Sequence, residues 1–74
     1  MRLKEALGCL AKRRIGIVGT WEIQGKKGIT LGDPSKFFPH PSGPRYQIET
    51  TDDQNPELTQ DEIDALERRF GPLS

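Results

Sequence analysis

The chain is poor in the residues that staple or catalyse. Cysteine and histidine occur once each, as Cys9 and His40. A lone cysteine excludes an internal disulfide, and with one histidine it falls short of the three or four ligands a structural zinc needs. Hydrophobic residues make up 32% of 74 positions and aromatics 7%. The core must be thin, because a chain this short buries only about 60% of its unfolded surface. No run approaches the roughly 18 apolar residues of a membrane span. The opening MRLKEALGCLAKRR breaks its apolar pattern with charges, unlike the core of a signal peptide. A reducing, cytoplasmic setting without a membrane partner is the expectation, in one small domain spanning 1–74.

Catalytic equipment is equally sparse. Cys9 falls near the apolar Leu7 and Leu10, where a thiol packs rather than attacks, and His40 sits in the loop FPHPSGP. Asp52, Asp53 and Glu57 lack the length and spacing of a calcium loop. The stretch GTWEIQGKKG has glycine and lysine but no phosphate-loop pattern before a helix. The sequence therefore predicts no enzyme, no cofactor, no metal and no small-molecule substrate.

Charge is present but divided. Residues 1–36 hold eight Lys/Arg against three acids, and residues 37–74 hold three Arg against eight acids, so the halves carry +5 and −5 within a neutral total. Such a division marks either a basic face for an anionic partner or two halves that attract one another.

The pattern of apolar residues orders the elements as α-β-β-β-α. Leu3, Leu7 and Leu10, flanked by Ala6 and Ala11, form the stripe of a helix over about 2–12, with Lys12, Arg13 and Arg14 suited to its negative end. The period then changes to two. Ile15, Ile17, Trp21 and Ile23 occupy alternate positions of a strand over about 14–24, which predicts that Trp21 and Ile23 point into the core. Gly19 suggests a bulge or a close backbone approach. A loop containing Gly25 joins this strand to a second over about 27–32, and RYQIET reads as a third over about 45–50, free to join either edge of the hairpin.

Between them lies a Pro-rich loop, 33–44, that cannot continue a sheet. An acidic linker, 51–58, leads to the best-marked element, a helix over about 60–70. Thr59 and Glu62 form a capping box, Leu58 and Ile63 a hydrophobic staple, and Gly71-Pro72 ends it. The fold class is α+β, a small three-stranded antiparallel sheet flanked by an N-terminal and a C-terminal helix, with an SH3-like barrel as the alternative.

Binding is the function class left. One expectation is a protein-binding or assembly module acting on another protein or on its own copies, through Phe37 and Phe38 of the loop, a sheet edge, or the helix stripe of Ile63, Leu66 and Phe70. The alternative is nucleic-acid binding by Lys12, Arg13, Arg14, Lys26, Lys27 and Lys36.

Overall fold

A computed structural model describes residues 1–37 and 42–73, with Phe37 described through its backbone alone. The architecture is α+β. In chain order the elements are α1 (Leu3–Ala11), β1 (Gly16–Ile23), β2 (Lys26–Gly32), α2 (Pro34–Phe37), β3 (Arg45–Glu49) and α3 (Gln60–Phe70). The three strands make an open antiparallel sheet in the order β1-β2-β3, so the barrel alternative does not apply.

Helices α1 and α3 supply one side of the core and the sheet the other. Leu3, Ala6 and Leu10 of α1 and Leu66 of α3 pack with Leu31 of β2 and Ile48 of β3, closed by Ile15, Leu58 and Leu73. α3 forms as its local signals dictate. The Thr59 hydroxyl accepts from the Glu62 amide at 3.2 Å, and the Glu62 carboxylate accepts from the Thr59 amide at 2.9 Å, so two otherwise orphaned donors are satisfied. Thr59→Ala removes one of these bonds. It is expected to cost about 1 kcal/mol in urea denaturation, with helical circular dichroism otherwise retained.

α1 is capped from a distance. The Asn55 side-chain oxygen accepts from the Lys4 amide at 2.8 Å, Leu3 donates to the Pro56 carbonyl at 2.9 Å, and Leu58 donates to the Met1 carbonyl at 2.8 Å. The acidic segment 51–58 is thus bonded to the first turn of α1 rather than hanging as a plain linker. At its other end α1 closes with a left-handed residue. Arg14 has φ +64, Arg14 donates to the Ala11 carbonyl and Ile15 to the Leu10 carbonyl, the pair of bonds that satisfies the last carbonyls of a helix.

Three expectations about the hairpin need correction. Its turn is two residues long, Gln24-Gly25, both at positive φ (51 and 79), as the right-handed twist of the strands demands; Gly25 supplies one such position and Gln24 takes the other. Second, β1 does not keep one period. The register slips between Ile17 and Gly19, so Val18 is an extra residue and the sides exchange. Val18 is buried, while Ile17 and Ile23 are 51% and 62% exposed. Third, Trp21 stands outside the helix-packed core. It pairs with Gly28, and alternation sets both on the face away from Ile29, Leu31 and Ile48. Its ring lies over Gly28, and its Nε1 is buried without a hydrogen-bond partner.

The Pro-rich segment contains a short helical turn, α2. Asp33 starts it by accepting from the Ser35 amide at 2.9 Å and the Ser35 hydroxyl at 2.7 Å, with Pro34 in the first helical position. The side chain of Phe37 and all of Phe38 and His40 lie outside the described residues.

Candidate functional site

The two edges of the sheet differ. At β3 the Arg69 guanidinium of α3 donates to the Arg45 carbonyl at 3.1 Å and to the Ala65 carbonyl at 3.3 Å, and stacks 5.0 Å from the Tyr46 ring centre. That cation, held by three partners, covers the Arg45 end of this edge. Beyond β1, no described residue pairs its outer backbone groups. β1 is eight residues long, and its Ile17 and Ile23 side chains are exposed.

Beside that open edge lies a cleft of about 510 Å³ between α1 and the sheet. Leu3 and Leu7 of α1 and Ile17 and Ile29 of the sheet form its apolar lining, and Lys4, Glu22 and Lys27 supply charge. Leu7 and Ile29 are half-buried members of the core margin, so the cleft opens directly from the core. Ile17 faces α1 because it pairs with the core-facing Leu31, and after the bulge at Val18 the same face is continued by Thr20 and Glu22, which leave the cleft unfilled.

The helix stripe is spent on the fold itself. Leu66 is fully buried and Ile63 and Phe70 pack against the core, so α3 presents its polar side outward. Cys9 also packs half-buried against that cluster.

The six basic candidates do not form one surface. Lys26 and Lys27 sit at the hairpin tip, whereas Lys12, Arg13, Arg14 and Lys36 lie where β1 begins and β2 ends. Eight residues of strand separate the groups, about 23 Å at 3.3 Å per step. Acidic residues stand near the tip in the ladder and along the chain, with no ion pair to either lysine among the described residues. Lys27 stands across from Glu22, and its backbone bonds to Thr50 and Thr51, which lead into Asp52 and Asp53. The opposite end contains Asp33, whose bonds from Ser35, the hydroxyl first, hold its carboxyl below the ordinary aspartate range.

Among the described residues, the ion pairs between the basic and acidic halves lie at the start of α1. Arg2 meets Asp53 at 3.7 Å, and the N-terminal amine meets Glu57 at 3.5 Å. Among the described residues no group of three or more His, Cys, Asp and Glu side chains is placed to hold a metal ion, and no helix is long and apolar enough to cross a membrane. Comparison with known protein families, with curated proteins and with solved structures finds no match for this chain.

Proposed function

We propose that this chain is a non-enzymatic protein-binding module that receives an extended segment of a partner along the outer edge of β1. The observation that carries the reading is the pairing of an open edge with an adjoining apolar cleft, Ile17 belonging to both. An added strand would satisfy the free amides and carbonyls of β1 through its main chain. Alternate side chains of that strand would enter the cleft between Leu3, Leu7 and Ile29, which is where selectivity would arise. At β3 the Arg69 guanidinium already occupies the Arg45 carbonyl at one end of the edge, which favours β1 over the other side of the sheet.

A library of displayed extended peptides tests this. Selection is expected to enrich alternating apolar sequences whose binding perturbs the backbone amides of residues 17–23 in nuclear magnetic resonance spectra. Ile17→Lys places a charge on the edge and is expected to weaken such ligands about tenfold or more, with the thermal midpoint nearly unchanged because Ile17 is 51% exposed. Ligands that perturb α3 or the hairpin tip and leave β1 untouched would refute the proposal.

A further inference from the structure

We infer that the end of the sheet remote from the hairpin tip docks the phosphate backbone of a nucleic-acid duplex. The topology gathers Lys12, Arg13, Arg14, Lys36 and Arg45 there. The first three form the turn from α1 into β1, Lys36 lies on α2 just after β2, and Arg45 stands across from Gly32 at the last rung of the ladder. All five are exposed, and none is paired with a carboxylate among the described residues. Asp33, whose carboxylate is held ionised by Ser35 and by the nearby Lys36 and Arg14, is the one acid set against these five cations among the described residues, so the group keeps a net positive charge.

A second observation is independent of charge counting. Arg14 occupies the left-handed position that ends α1, at φ +64, where glycine fits without steric penalty and a side chain is strained. Its side chain is exposed, and among the described residues it makes no hydrogen bond or ion pair. Local strain kept at an exposed cation points to a use for that cation.

The chemistry at this end favours phosphate over an acidic protein surface. Protein interfaces are built round an apolar centre, and the exposed large hydrophobics among the described residues, Met1, Ile17 and Ile23, are not part of this group. Ile17 turns to the α1 cleft instead. Arginine forks match phosphate oxygens in pairs, and the nearby Tyr46 ring is covered by Arg69 rather than offered to an unpaired base. Such a surface reads the backbone of a duplex without reading its sequence.

The test is fluorescence anisotropy with short labelled DNA and RNA duplexes at about 50 and 200 mM salt. If three phosphates are neutralised, affinity falls roughly 40-fold between those salts. Lys12→Glu/Lys36→Glu is expected to weaken binding by about tenfold or more at the lower salt, whereas Lys26→Glu/Lys27→Glu, the same change in net charge, alters it by about threefold at most. Arg14→Gly separates binding from folding. It relieves the strained φ, so the thermal midpoint rises by about 4–8 °C while duplex affinity falls. Absence of binding at the lower salt overturns the inference, as does a tip variant that loses as much as the Lys12/Lys36 variant. Polyglutamate bound as tightly as duplex, with the same losses, would assign the surface to acidic protein and also overturn it.

Discussion

Gly28→Ala is expected to destabilise the domain by on the order of 3 kcal/mol. A Cβ at this position runs into the Ile48 carbonyl oxygen of β3 on one side and the Trp21 indole of β1 on the other. Gly28 lies in the central strand, so neither neighbour can retreat freely. Moving the Ile48 carbonyl disturbs the β2–β3 ladder at the Ile29–Ile48 rung. Swinging the indole uncovers the Gly28 backbone that it buries. Urea denaturation followed by Trp21 fluorescence measures both effects at once, since Trp21 is the single tryptophan. The double variant Trp21→Ala/Gly28→Ala removes the indole clash but keeps the carbonyl clash, so it should recover part of the loss relative to the sum of the single variants. A Gly28→Ala protein as stable as the parent would show that β2 and β3 do not approach this closely.

Leu66→Ala is expected to lose about 2–5 kcal/mol. Leu66 is fully buried where α3 meets the sheet, in contact with the layer formed by Leu31 and Ile48. The deletion removes transfer free energy and leaves a cavity that a core of nine residues cannot close by rearrangement. At about 0.05–0.15 kcal/mol per residue, the stability of a chain this size is of the same order, so the variant should be partly unfolded at room temperature. Ile63→Ala is the comparison, because Ile63 is half-buried at the margin of the same core and should cost less. Equal losses at the two positions would contradict the placement of α3.

The same features explain what could be read in advance. α3 was legible to its boundaries, since its cap, its terminal charges and its stop at Gly71-Pro72 act within one or two helical turns. The period change from α1 to β1 was legible for the same reason. The inward face of β1 was not. A bulge is a property of two paired strands, and one extra residue, Val18, exchanged the sides of every residue after it. Of the two readings of Gly19, the bulge holds, since the register slips between Ile17 and Gly19; the close approach falls instead at Gly28, whose neighbour in β3 lies 20 residues further along the chain. The start of α2 at Asp33-Pro34 carried a readable cap signal that was outweighed by the density of proline around it.

By itself, then, the sequence determined the order of the three strands and the two terminal helices, the α+β class, the capped C-terminal helix and the scarcity of catalytic groups, because these depend on neighbours a few residues apart. Tertiary structure alone decided the rest. It set Arg69 over the Arg45 end of β3 and left β1 without a further strand among the described residues, capped α1 with Asn55 from 51 residues away, and parted six cations between the hairpin tip and the opposite end of the sheet. Each of these is a meeting of distant segments. Strand register and helix docking fix such meetings, and both are set by which surfaces the whole chain can bury at once.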